Sequence, residues 1–144
     1  MVKNNFVGIW RLVVSQFTPA DGAIIYPYGK DALGMLIYDR DRHMSVQIMR
    51  PDRSAFVSGD LREGTPEEIK AAFDGYVAYF GTYEVNEEES TVTHSIKGSL
   101  FPNWIGLNQK RFFEFSGNCL TLKTQPMPAA GTTVYGILVW ERDI

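Results

Sequence analysis

The sequence predicts a single, mainly β domain over residues 1–144, built as an antiparallel up-and-down β-barrel of about eight to nine strands with one inserted helix. Short runs of alternating apolar and polar residues recur along the chain, and turn signals separate them about every eight to twelve residues. One capped amphipathic stretch, at about residues 66–79, is the only helical pattern. Because helices do not alternate with strands, a parallel sheet is not expected.

Composition narrows the classes of partner. The net charge is −3 and the 14 lysines and arginines are scattered, so we expect no contact with nucleic acid. No membrane span, signal peptide or internal disulfide is expected, since Cys119 is the single cysteine, and cytoplasm is the predicted location. No HxH or CxxC spacing is present, and we predict neither a metal site nor a cofactor.

The opening strand, residues 6–14, predicts how one end of the barrel closes. Gly8 and Trp10 share a face of an extended chain, so the indole can lie against the backbone at the glycine. In a closed meander the last strand, at 132–142, pairs with the first. We therefore expect Arg142 to lie over Trp10 in a cation–π contact, and we assign a structural role to these three residues.

The hairpin of residues 33–38 and 43–50 leaves its inward face undecided. Its second arm has one polar face with His43, Gln47 and Met49, and one apolar face. If the apolar face packs into the core, His43 is solvated at a strand end. If the barrel holds a ligand, Gln47 and Met49 become groups of the cavity wall.

The helix has a clear start signal. Thr65 is a predicted N-cap, Pro66 follows at the first helical position, and Glu68 can close a capping box. An apolar stripe at helical spacing follows and predicts that the helix covers a sheet or a barrel end. Its members are Ile69, Phe73, Tyr76, Val77 and Phe80.

Two polar residues on predicted inward faces, His94 and Arg111, are candidates for proton transfer or for binding an anion. His94 alternates with the apolar residues of the predicted strand at 91–98, so it is either a buried neutral imidazole or a ligand-facing proton donor or carrier. Arg111 lies in an aromatic row with Phe113 and Phe115. An inward arginine needs a carboxylate, a ring face or a ligand anion.

Several aromatic residues are candidates for a cavity mouth. Tyr26 and Tyr28 share a face of a short predicted strand at 23–28, either as rim packing or as phenols at the mouth. Phe101 and Trp104 belong to an apolar loop broken by Pro102 and Gly106. Such a loop folds over a core as a plug or covers an opening as a lid.

Motifs along nearly the whole chain resemble the lipocalin-like domain family of bacterial and fungal proteins, within the calycin group of barrels. The stretches that carry the resemblance are 8–13, 34–53 with its His-Met-Ser-Val-Gln motif, 80–83, 92–94, 98–99, 102–104 and 136–142. The resemblance implies a barrel with an apolar cavity that opens at one end. It also implies two kinds of activity, since some lipocalin-like barrels carry small hydrophobic molecules and others are cofactor-free enzymes.

The first hypothesis is binding of a small hydrophobic or aromatic molecule in the cavity. The alternative is a cofactor-independent isomerase, cyclase or lyase, with His94 as acid or base, Tyr83 and Tyr26 as phenol donors, and Arg111 as the partner of an anion. The two hypotheses differ in whether His94, Tyr83 and Arg111 point into one cavity. A third hypothesis, a filled structural barrel, predicts no enclosed cavity, and a homodimer is left open as the assembly. The predicted ligand-binding residues are Tyr26, Tyr28, Gln47, Met49, Tyr83, His94, Phe101, Trp104, Arg111 and Phe113.

Overall fold

A computed structural model describes residues 2–20, 22–129 and 131–143. These residues form nine strands and one α-helix, α1 (Pro66–Asp74), with short 3-10 helices at Val2–Asn5 and Pro102–Trp104. No helix within the described ranges has the length and apolar character required to cross a membrane. The strands are β1 (Gly8–Pro19), β2 (Leu33–Tyr38), β3 (His43–Met49), β4 (Tyr76–Asn86), β5 (Thr91–Ser99), β6 (Asn108–Ser116), β7 (Cys119–Thr124), β8 (Met127–Ala129) and β9 (Thr132–Arg142).

The predicted antiparallel barrel is confirmed. Strands β1 to β7 pair in chain order, and β9 pairs with both β7 and β1, which closes eight strands into a barrel. The remaining strand, β8, pairs with β9 alone. Pro128 is tolerated there because an edge strand does not need every N–H for pairing.

The prediction of a short strand at 23–28 is wrong. Only Ile25 is paired in this stretch, through two backbone hydrogen bonds with Phe17 of 2.7 and 2.9 Å. The chain then turns, because the Gly29 N–H donates to the Tyr26 carbonyl at 3.0 Å and Pro27 offers no donor for a ladder. Tyr26 and Tyr28 therefore lie in a turn at the barrel rim.

Helix α1 begins as predicted but ends earlier. Thr65 accepts from the Glu68 N–H at 3.2 Å, and the Glu68 carboxylate accepts from the Thr65 N–H at 2.8 Å, which completes the capping box. The helix ends before Gly75, whose N–H donates to the Ala71 carbonyl at 3.0 Å and whose carbonyl accepts from Arg50 N–H at 2.8 Å. The predicted end near 79 is thus wrong.

The residues after Gly75 join the sheet instead of the helix. Tyr76, Val77 and Phe80 belong to β4, which pairs with β3 over its first half. The aromatic and β-branched residues there suit a strand, and the ladder with β3 outweighs the helical spacing. What remains of the apolar stripe, Ile69 and Phe73, is half exposed.

The inward face of β3 is the apolar one. Met44, Val46 and Ile48 are between 3% and 6% exposed, whereas Gln47 and His43 are exposed to solvent. Burying the three apolar side chains removes more apolar area from water than the other face offers. The Gln47 side chain instead accepts a hydrogen bond from the Tyr76 hydroxyl at 2.9 Å on the outside of the barrel.

One end of the barrel is closed by residues 5–7, the segment directly before β1, which we call the plug. Phe6 is fully buried and makes edge contacts with Phe113 and Phe115, each with ring centroids 5.0 Å apart. The Trp10 indole N–H donates to the Phe6 carbonyl at 2.9 Å. The predicted cation–π contact is present, with the Arg142 guanidinium 4.3 Å from the centroid of Trp10.

Gly8 makes room for Arg142 rather than for the indole. A Cβ at Gly8 would lie 2.7 Å from Nη1 of Arg142, and the Gly8 φ of 139° is one that other residues rarely adopt. The guanidinium passes the glycine and donates to the carbonyls of Val7 at 2.9 Å and Asn5 at 2.6 Å. Arg142 therefore ties the last strand to the plug.

We expect Trp10→Ala to lower the free energy of unfolding by about 3–5 kcal/mol, since it empties a buried site that the surrounding rings cannot refill. Urea denaturation measures the change. Ile9→Ala, on the exposed face of the same strand, is the control and should cost under about 1 kcal/mol. Equal losses in the two variants would show that the indole does not support the closed end.

Candidate functional site

The barrel encloses a cavity in the half opposite the plug. Its volume is about 80 Å³, whereas a single water needs about 10–15 Å³, so several water-sized groups fit. The apolar part of the wall includes Leu36, Val46, Ile48, Val77, Leu122 and Leu138. The polar part includes Ser15, Gln16, Tyr28, Tyr79, His94, Arg111 and Thr124.

An outer vestibule of about 270 Å³ continues the cavity towards solvent. The two share Phe17, Tyr28, Val77, Trp104 and Met127, which therefore surround the mouth. The 3-10 turn and its preceding loop cover one side of the mouth. Within that loop the Phe101 and Trp104 rings meet edge to face at 5.3 Å.

His94 lines the cavity and lies between two tyrosines. Its Nε2 is 2.6 Å from the Tyr38 hydroxyl, and its Nδ1 is 2.7 Å from the Tyr79 hydroxyl. His94 is only 2% exposed. Burial, with the charge of Arg111 as a smaller cause, lowers the pKa of His94 well below 6.5, so the imidazole is neutral at pH 7.

The three rings come from neighbouring parts of the sheet. Tyr38 ends β2, Tyr79 lies on β4, and His94 is on β5, where it faces Tyr83 across the β4–β5 ladder. Alternation along each strand turns the three side chains inward. Burial raises the pKa of both phenols, and the Arg111 charge partly opposes that rise.

Arg111 is a buried cation on the cavity wall, 8% exposed. It donates to the Gln109 side-chain carbonyl at 2.7 Å and, with a longer bond of 3.4 Å, to the Lys110 carbonyl. In the part of the chain that the structure describes, it forms no ion pair with a carboxylate. Of the partners expected for an inward arginine, the intramolecular carboxylate is therefore not present among these residues.

Four of the predicted site residues meet at one cavity. His94, Arg111, Tyr28 and Trp104 line it, and Phe101 lies at the vestibule. The role of each in binding or catalysis stays a prediction.

The other predicted site residues lie elsewhere, so the expectation that they line this cavity is corrected. Tyr83 donates to the Asp39 carbonyl at 2.7 Å near the closed end, and Phe113 packs against Phe6.

Gln47 and Met49 are on the outer face of β3. Tyr26 lies in the rim turn, where the Lys30 ammonium is 5.3 Å from its ring. The set proposed for catalysis is thus divided, since Tyr83 does not approach His94 and Arg111 from within the cavity.

Most of the cavity wall is not in the predicted set of site residues, and Tyr79 and Trp140 are the two aromatic examples with polar hydrogens. Tyr79 falls in the stretch predicted as helix, where inward alternation is not visible. Trp140 alternates with Val134, Gly136 and Leu138 in the last strand, a signal of inward orientation that was available. Its indole N–H is buried and has no hydrogen-bond partner among the described residues.

Comparison with known proteins finds one matching family model and one similar protein. The family model described as "Lipocalin-like domain" matches residues 7–143. A protein of Aspergillus oryzae (strain ATCC 42149 / RIB 40), described as the 4'-hydroxy-3'-methoxypropiophenone carrier protein, is 34% identical over 106 residues, covering 69% of this chain and 96% of that protein. No solved structure matches this chain.

We expect acidification to destabilise the protein through His94. Because the folded-state pKa lies well below 6.5, the unfolded chain binds a proton that the folded chain does not as the pH falls past 6.5. The free energy of unfolding should therefore decrease, by at most about 1.4 kcal/mol per pH unit. Urea titrations between pH 7.5 and 5.5 measure this slope.

His94→Gln should remove this acid-dependent loss, whatever its effect on stability at pH 7.5. His43→Gln removes an exposed imidazole and is the matched control, which should keep the loss. An unchanged slope in His94→Gln would contradict a buried neutral imidazole.

Proposed function

Because this chain belongs to the lipocalin-like domain family, we propose that it is a carrier that binds one small aromatic molecule inside its barrel. The observation that carries the proposal is the cavity itself, whose wall combines apolar side chains with a smaller number of polar ones. Ligand sites in proteins have this composition, with apolar contacts for affinity and few polar groups for orientation.

The similar carrier of Aspergillus oryzae supports an aromatic ligand. The molecule in its name is an aryl ketone that also has a phenol and a methoxy group. Val46, Ile48 and Leu138 offer a wall for the flat ring, while Tyr79 and Arg111 offer donors to its oxygens. The vestibule provides further space for a ligand that is longer than the inner cavity.

The geometry favours binding over catalysis for His94. Both of its ring nitrogens are within 2.7 Å of a tyrosine hydroxyl, so neither is free to exchange a proton directly with a ligand. The enzyme hypothesis in its predicted form also needs Tyr83, whose hydroxyl is bonded to a backbone carbonyl. The cytoplasmic location and the lack of contact with nucleic acid stay predictions from the sequence.

The proposal is tested with a pair of isomeric residues on β9. Leu138 lines the cavity, whereas its neighbour Ile137 is not among the cavity-lining residues. Leu138→Phe fills part of the cavity with a ring and should weaken binding of 4'-hydroxy-3'-methoxypropiophenone at least tenfold. Isothermal titration calorimetry of the purified chain gives affinity and stoichiometry, and we expect one ligand per chain.

Ile137→Phe adds the same ring without occupying the cavity and should bind like the wild type. Circular dichroism and thermal unfolding verify that both variants are folded. Binding that is unaffected by Leu138→Phe but weakened by Ile137→Phe would place the ligand outside the barrel and overturn the proposal.

A further inference from the structure

We propose that the ligand binds as an anion, an aromatic molecule whose carboxylate or acidic phenol accepts hydrogen bonds from Arg111 and Tyr79. This inference rests on the carrier function proposed above and adds the chemical class of the ligand. Two observations and one assignment carry it: Arg111 has no carboxylate partner among the described residues, the described residues of the cavity wall include no acidic side chain, and the hydrogen bonds through His94 are assigned the direction argued below.

Among the described residues, Arg111 brings a positive charge to the cavity wall without a carboxylate to pair with it. A guanidinium has five N–H donors, and Arg111 uses one in a short bond to Gln109 and one in a longer bond to Lys110. Burying a charge is costly unless it is paired. An anionic oxygen in the cavity would offset that cost more than the oxygen of a neutral ligand does.

The hydrogen bonds through His94 can have two directions, and only one of them gives the proton of Tyr38 an acceptor. Tyr38 is 1% exposed and packs against Phe6 and Tyr83, with its ring centroid 5.3 Å and 4.6 Å from theirs. The hydroxyl of Tyr38 has one hydrogen-bond partner among the described residues, Nε2 of His94. We therefore assign Tyr38 as the donor to Nε2.

This assignment fixes the role of Tyr79. A neutral imidazole that accepts at Nε2 has its proton on Nδ1, so His94 donates to the Tyr79 oxygen. The Tyr79 proton is then left for another acceptor, and Tyr79 lines the cavity while Tyr38 does not. The reverse direction would leave the Tyr38 proton without an acceptor among aromatic rings, which is the costlier arrangement.

The cavity wall has no acidic group that would repel an anion. No aspartate or glutamate is among the described residues that line the cavity. Its other polar side chains include Ser15, Gln16 and Thr124, which are neutral and can donate as well as accept hydrogen bonds. The wall therefore combines one positive charge with neutral polar groups, which suits an anionic acceptor.

The pKa directions agree with this electrostatic field. The Arg111 charge helps to lower the pKa of His94 and opposes the rise in the pKa of Tyr79 and Tyr38. For both tyrosines, however, burial is the larger cause, and the pKa of each phenol stays above its ordinary value. A bound phenol therefore ionises only where its contact with the guanidinium outweighs its burial, whereas a carboxylate enters already ionised.

The test uses two pairs of probes that differ in charge. Para-hydroxypropiophenone has an acidic phenol, and its methyl ether cannot ionise. Para-methoxybenzoate is a carboxylate, and para-methoxybenzamide is its neutral counterpart. Titration calorimetry gives the four affinities at pH 7, and absorbance spectroscopy of the bound phenol reports phenolate by its band at longer wavelength.

We expect at least one anionic probe to bind at least tenfold more tightly than its neutral partner. A phenolate band on binding identifies the phenol as the source of the anion, and selectivity in the second pair alone identifies the carboxylate. In Arg111→Met this preference should disappear, because the anionic probes lose more affinity than their neutral partners. Arg111→Lys should retain part of the preference and shows that the charge is responsible.

Arg62→Met removes an exposed arginine and is the control for a general change in charge. Equal binding within each pair, without a phenolate band, would overturn the anionic ligand and leave the carrier function intact. A preference that survives in Arg111→Met would equally overturn it. If neither these probes nor the ketone used for the cavity variants binds, both proposals are wrong.

Discussion

Pairing of the first strand with the last is the constraint on which the remaining structure depends. A meander of strands has an open edge on its first strand and another on its last. Because β1 pairs with β9 as well as with β2, neither of these edges stays open. Arg142 fixes the register at the end of this seam, because its guanidinium lies on Trp10 and bonds the carbonyls of the plug segment. Closure and plugging are therefore parts of one arrangement, and the plug decides which end of the barrel stays open.

An eight-stranded barrel has an interior that side chains can just fill. At the closed end large rings fill it, with Phe6 among Tyr38, Phe113 and Phe115. Towards the mouth the inward positions include smaller residues, among them Ser15, Val46 and Gly136. Their side chains do not fill the interior, and the unfilled space is the cavity. The cavity thus arises from the change in side-chain size along the barrel axis, and not from an irregularity of the sheet.

Period-two alternation made much of the fold and part of the site predictable from sequence. It places His94 and Arg111 on inward faces, and the predicted ranges 33–38 and 132–142 equal the observed bounds of β2 and β9. Alternation alone does not say which face is inward, so the sequence leaves Gln47 and Met49 as candidates, and the burial of the apolar face of β3 excludes them from the wall. Tyr79 is not predictable in the same way, because the apolar residues of helix α1 and of the strand that follows it form one continuous helical pattern across Gly75.

The side chains around His94 show how the closed end affects the chemistry available to a ligand. Among the described residues, aromatic rings surround Tyr38 and His94 is the hydrogen-bond partner of its hydroxyl, and on this ground we assign Nε2 as the imidazole nitrogen that accepts. That choice in turn determines that Tyr79 has a proton to donate into the cavity. A buried polar chain of this kind contributes little net stability compared with apolar packing, but its direction is set by the rings around it. The plug at one end of the barrel therefore helps to orient the donor presented near the other.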